Sequence, residues 1–164
     1  MVNLVIEKLN DTAKAPTRAT THAACFDVYA NTTDRDIKAR CTSNKEYKLT
    51  APIEVYPGHK VMIPTGFKMQ VPVGYCLLMY PRSGLAWKNG INLINAVGVI
   101  DADYTQEVQV LLHNTSGEIF RVTDGDRIAQ LSISQVFATD VILVDSLPSV
   151  DSSRLGGFGS TGLI

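Results

Sequence analysis

The sequence is poor in cysteine, and the three it has, Cys25, Cys41 and Cys76, show no C-x-x-C spacing. An odd count without that spacing argues against both a disulfide framework and a cysteine-caged zinc. Histidine is equally sparse: His22, His59 and His113 are scattered, none at ligand spacing from another. An excess of either charge is missing too. Lysine and arginine number 15 against 16 acidic residues, a net charge of −1, so the chain lacks the electrostatic footprint of a nucleic-acid or anionic-membrane binder. A polyanion would have to be held by a few local cations. No run approaches the roughly 18 apolar residues that cross a bilayer as a helix. The opening Met1 to Lys8 also lacks the basic region and long apolar core of a secretory leader. The expectation is a reducing, cytoplasmic setting with no nucleic-acid or membrane partner.

What is present describes a globular chain. Its 164 residues suit one domain, and 45% hydrophobic with 19% charged residues is the balance of a folded core with a polar surface. Helical periodicity is scarce. Short runs rich in Val, Ile, Leu, Tyr and Phe recur between Pro, Gly, Asn and Asp, the pattern of an all-β domain. Strands are expected at Val2–Lys8, Lys60–Pro64, Phe67–Val71, Tyr75–Tyr80, Leu93–Ile100, Glu107–Asn114, Ile119–Val122 and Arg127–Phe137. Pro57-Gly58, Pro64-Thr65-Gly66 and Pro72-Val73-Gly74 mark turns between them. One short helix fits Ser83 to Lys88, with Trp87 expected to pack it against a sheet, while Cys76 and Met79 are expected in the core. Asn31 to Thr50 reads as a polar, irregular surface excursion, and residues 151–164 as a flexible glycine-rich arm following a domain of residues 1–150. Pattern alone allows a sandwich, a jelly roll or a barrel.

Four stretches stand apart from ordinary sandwich sequence. Pro81-Arg82-Ser83-Gly84-Leu85-Ala86 places a guanidinium, a hydroxyl and a glycine amide in succession at a helix start, a set suited to phosphate oxygens. It reads equally well as a helix cap with a surface arginine. Val99-Ile100-Asp101-Ala102-Asp103-Tyr104 sets two carboxylates past an apolar strand, where one could act as a general base toward water or simply form a turn. Gly125 to Leu131 mixes Arg127 and Gln130 into a strand. Gly156-Gly157-Phe158-Gly159-Ser160-Thr161-Gly162 joins glycine amides that can approach phosphate to a Phe that can stack on a base. No lysine follows the glycines, so it is not a P-loop.

Together with Ala24-Cys25-Phe26-Asp27-Val28-Tyr29-Ala30, these segments resemble, in order and register, the five motifs of the trimeric dUTPase family. The resemblance implies a distorted jelly roll, a homotrimer with shared active sites, and hydrolysis of dUTP to dUMP and pyrophosphate. That reaction keeps uracil out of DNA and supplies dUMP for dTTP synthesis. It further implies Asp101 as the residue that activates water for attack on the α-phosphorus, and Tyr104 as the ring beneath the deoxyribose. Asn95 would pair with the uracil edge, with Val99, Ile100 and Gln109 completing that pocket. Arg82, Ser83, Gly84 and Gln130 match phosphate contacts. Phe158 matches the aromatic that covers the base, and Gly159, Ser160, Thr161 and Arg154 match contacts to the γ-phosphate. Mg²⁺ would ride on the triphosphate, with Asp27 holding it through water only, as that ion's retained hydration permits.

The chain departs from the family pattern at Cys25, where Gly is usual, and at Thr105-Gln106, whose second member is usually Gly. The arm motif around Arg154 is one residue shorter than usual. Two other readings share these residues. A dCTP deaminase or bifunctional deaminase of the same superfamily would use an acid near the third motif, for which Glu107 is available. A regulatory protein on the same scaffold would offer the segment 31–50 to a protein partner.

Overall fold

The computed structural model describes residues 2–150, so the arm, with Arg154, Phe158, Gly159, Ser160 and Thr161, lies outside the described residues. In chain order the strands are β1 (Val5–Lys8), β2 (Phe26–Tyr29), β3 (Ile37–Arg40), β4 (Glu46–Leu49), β5 (Ile53–Val55), β6 (Lys60–Pro64), β7 (Phe67–Gln70) and β8 (Tyr75–Tyr80). The short helix α1 (Ser83–Asn89) follows, then β9 (Ile91–Leu93), β10 (Gly98–Ile100), β11 (Gln109–Asn114), β12 (Phe120–Val122) and β13 (Arg127–Gln135). They form a five-stranded sheet in the order β4-β3-β6-β11-β9, a four-stranded sheet in the order β10-β8-β13-β2, and the two-stranded ribbons β1-β7 and β12-β5. All the pairings are antiparallel.

Period-two alternation explains the core. Val61 and Ile63 on β6, Val110 and Leu112 on β11, and Ile37 and Ala39 on β3 turn inward from the larger sheet. They join Leu77 and Met79 on β8, Leu131 on β13 and Val28 on β2 in one apolar cluster. Cys76 and Met79 are buried as expected. Asn114 is one of four buried polar residues among those described. Its amide donates to Val55 O and Glu118 O, both at 2.7 Å, and its carbonyl oxygen accepts from Ser116 N and Oγ, so no polar atom is orphaned.

Three expectations are corrected. Residues 31–50 are not an irregular excursion, because β3 and β4 pair in register from Ile37↔Leu49 to Arg40↔Glu46 and extend the larger sheet. Their signal is weak because each has only two inward positions among charged neighbours. Leu93 to Ile100 is not one strand. The chain leaves β9, turns through Asn95, and joins the other sheet as β10. Trp87 does not pack α1 against a sheet; it is 90% exposed. On so short a helix Leu85 takes the inward side, and a residue two places on cannot share that face.

Ile63 is fully buried on β6, between β3 and β11. Ile63→Ala is expected to cost about 2–5 kcal/mol. A lower urea midpoint at unchanged slope would register that loss.

Candidate active site

The turn between β9 and β10 forms one wall of a cleft of about 320 Å³. Ile94 N–H donates to Leu111 O at 3.1 Å, which holds the turn over β11. Asn95, Gly98, Val99, Ile100, Tyr104 and Gln109 line the cleft, with Met62 and Met79 among its apolar lining residues. The fit at Gly98 is close: a Cβ there would lie 3.0 Å from Asn95 Nδ2, the end of a flexible side chain, and 3.4 Å from Met79 Cβ. Asp101 follows directly on Ile100 and is exposed, its carbonyl accepting from Tyr104 N–H at 3.2 Å in a tight turn. The Tyr104 hydroxyl donates to Glu107 O at 2.9 Å.

A second group gathers where β8 runs into α1. Arg82 stands at the N-cap in an extended conformation, with its Nε 3.2 Å from Asp27 Oδ1 and its Nη1 donating to Arg127 O at 2.9 Å. Arg127 Nη1 donates to Asp27 Oδ2 at 3.1 Å. Gln130 Nε2 donates to Pro81 O at 2.9 Å. The carboxylate between the two guanidiniums is only 12% exposed. A further cleft of about 320 Å³ opens here, lined by Arg82, Arg121, Asp126 and Arg127 among others. Ser83 and Gly84 are exposed at the start of α1. A Cβ on Gly84 would meet nothing within 4 Å, so no neighbour in the described chain requires glycine there.

A bulge makes this second group possible. In a regular strand Arg127 and Gln130, three residues apart, would point to opposite faces. Here Arg127 pairs with Tyr29 but Ala129 already pairs with Val28, so Ile128 is the extra residue. Gln130 then pairs with Asp27, and the chain from Arg127 to Gln130 presents both side chains on the face that carries Asp27 and Tyr29. Arg127 was visible in the sequence only as a polar residue of an alternating strand. The odd spacing of two polar side chains, with Ile128-Ala129 between them, was the available signal for the bulge.

The structure thus sorts the residues singled out in the sequence into two sets. Asn95, Val99, Ile100, Tyr104 and Gln109 share one cleft, with Asp101 next to it. Asp27, Arg82, Ser83, Gly84 and Gln130 sit together elsewhere. Along β8, Gly98 pairs with Met79, three residues before Arg82, whereas Ile100, next to Asp101, pairs with Leu77, and Arg82 lies five residues further on. At the rise of an extended strand that is about 17 Å.

The dUTPase family model matches residues 46–162. The chain belongs to the dUTPase family. A deoxyuridine 5'-triphosphate nucleotidohydrolase of Roseobacter denitrificans is 41% identical over 127 residues, 77% of this chain and 78% of that protein. Among solved structures, a mutant dUTPase of Staphylococcus bacteriophage 80alpha with dUpNHpp superposes with a TM-score of 0.77 at 23% identity, covering 98% of this chain and 99% of that one. A mutant dUTPase from phage phi11 of S. aureus, described with a structural Mg(II) ion, gives 0.70 at 21% identity over 90% of this chain and 99% of that one. At such identities these structures speak for the fold, and the jelly-roll-like β architecture of the dUTPases is the one found here. Among the described residues no helix is long and apolar enough to cross a membrane.

Asp27→Asn removes the charge shared by Arg82 and Arg127 while nearly preserving shape. It is expected to destabilise the chain by about 1 kcal/mol, because both arginines retain contact with water. Urea unfolding at low and high salt checks this, with the loss shrinking as salt screens the charges.

Proposed function

We propose that the chain hydrolyses dUTP to dUMP and pyrophosphate, in an active site completed by neighbouring copies of the chain within a homotrimer. The observation that carries this reading is the cleft in which Asn95, Val99, Ile100, Tyr104 and Gln109 meet beside Asp101. Uracil enters that cleft, pairing with the Asn95 amide and neighbouring backbone. Thymine is excluded on this reading because its 5-methyl would clash with the wall of the slot, as the resemblance to the family implies. Cytosine, with donor and acceptor exchanged on its edge, would leave buried groups unpaired, a penalty that can reach roughly 10⁴-fold. Tyr104 forms the wall beneath the sugar, where a 2′-hydroxyl would clash.

Asp101 accepts a proton from water as the water oxygen bonds to the α-phosphorus, and the bridging oxygen departs with pyrophosphate. Arg82, Ser83, Gly84, Gln130 and Arg127 bind phosphate oxygens, and Phe158, Gly159, Ser160, Thr161 and Arg154 of the arm cover the base and γ-phosphate. Among the described residues no three His, Cys, Asp or Glu side chains converge, and both oxygens of Asp27 already face arginines. Asp27 would therefore hold a triphosphate-borne Mg²⁺ through water rather than directly. When bound, the ion neutralises phosphate charge.

Two features support assembly. The gap of about 17 Å along β8 separates the carboxylate from the arginines of the same chain, which favours arginines supplied by a neighbour. Beyond β13, Val141, Ile142 and Leu143 are at least 80% exposed, an apolar stretch that another copy would cover. Glu107 also weighs against deamination: it does not line the cleft, and its carboxylate is engaged by Arg35 and by Gly66 N–H.

Pyrophosphate release from each deoxynucleoside triphosphate, with and without Mg²⁺, tests the reading. Turnover confined to dUTP is expected, and cleavage of dTTP at a similar rate, or ammonia release from dCTP, would overturn it. Asp101→Asn is expected to keep nucleotide binding while lowering kcat by at least about two orders of magnitude. Truncation before Ser152 is expected to abolish most turnover without dissociating the trimer, as read by light scattering.

A further inference from the structure

We infer that Arg35 is a positioning residue for the sugar side of the nucleotide cleft, acting through Glu107 on Tyr104. The inference rests on the reading of Tyr104 as the wall beneath the deoxyribose. Tyr104 is 40% exposed, so core packing does not fix its ring. The partner of its hydroxyl among the described residues is the carbonyl of Glu107, at 2.9 Å. That bond ties the far end of the ring to the Glu107 backbone.

Glu107 is held unusually firmly for a residue in an irregular stretch. Arg35 Nη1 and Nη2 donate to its two carboxylate oxygens at 2.8 and 2.6 Å, a fork-on-fork pair. Gly66 N–H donates to the first of those oxygens at 2.8 Å. The carboxylate side chain is 13% exposed and the arginine 26%, so water screens the pair only partly. The next residue is tied as well: Val108 N–H donates to Phe67 O at 3.0 Å, and the Thr65 hydroxyl donates to Val108 O at 2.6 Å.

Arg35 is braced from behind. Its Nη1 also donates to Asn31 Oδ1 at 3.1 Å. Asn31 is 1% exposed, donates through Nδ2 to the Thr12 hydroxyl, and accepts from Asn10 Nδ2, both at 2.8 Å. Gly66 has φ +74°, and a Cβ there would fall 2.6 Å from Asn31 Oδ1 and from Ala13 Cβ. Only glycine lets this turn bring its N–H to the carboxylate while leaving Asn31 in place. The contacts therefore run unbroken from the Asn10–Ala13 turn through Asn31, Arg35 and Glu107 to Tyr104. Small displacements matter at such a wall, because discrimination against one hydroxyl depends on close contact.

The test compares full-length Arg35→Met, Arg35→Met/Glu107→Gln, Arg35→Lys and Tyr104→Ala. Each is assayed for cleavage of dUTP and UTP, and for inhibition of dUTP cleavage by UTP. Arg35→Met is expected to leave kcat for dUTP within about threefold while lowering the preference for dUTP over UTP about tenfold. The double variant removes the unpaired carboxylate charge, so it should regain stability but not the preference. Arg35→Lys keeps a cation but cannot fork both oxygens, and should fall between. If Tyr104→Ala relaxes the preference while the double variant keeps that of the parent, the positioning role is refuted and the reading of Tyr104 stands. If Tyr104→Ala itself keeps the preference, that reading fails and the inference fails with it.

Discussion

Strand β8 is hydrogen-bonded along both edges, and both halves of the site hang from it. On one side β10 brings the cleft lined by Asn95 and Tyr104; on the other β13 brings Gln130 and, past the bulge, Arg127. Leu77 and Met79 anchor the strand in the core. A backbone paired on two sides and packed beneath cannot shift one half relative to the other without breaking ladder hydrogen bonds and core contacts together. Pro81-Arg82 simply continues this fixed line out of the sheet. Rigid placement of groups at opposite ends of one strand accords with the proposed site, which copies of the chain would complete together.

The electrostatics are local. With a net charge of −1 the chain has no general attraction for a polyanion, yet it sets Arg82 and Arg127 against the same carboxylate. Asp27 lets two like charges stand close together by lying between them. Two guanidiniums against one carboxylate leave the cluster an excess positive charge, held in a fixed orientation. Preorganisation of this kind spares the reorganisation that flexible surface lysines would need.

Much of this was legible in the sequence, and unevenly so. The all-β class followed from short alternating runs, and β6 and β8 have the bounds their flanking turns implied. The residues of the cleft were found through resemblance to a family, because nothing in the local spacing of Asn95 and Gln109 says that they meet. β3 and β4 were hidden because four-residue strands with charged outward faces look like loops. Trp87 has the character of a core residue, but a helix of seven residues has too narrow an inner face to bury it beside Leu85. Arg127 was overlooked because strict alternation cannot anticipate an extra residue. The Arg35–Glu107 pair spans 72 positions and has no local signature at all.

The exposed indole has a use of its own. Trp87 is the chain's single tryptophan, it lies in water, and it follows Arg82 by little more than one helical turn. The molecule therefore carries an intrinsic fluorophore at the edge of the surface formed by Arg82 and Arg127. Any neighbour or ligand that settles over α1 changes the polarity around that ring, so the spectrum of the unlabelled protein becomes a direct optical record of how this surface is occupied.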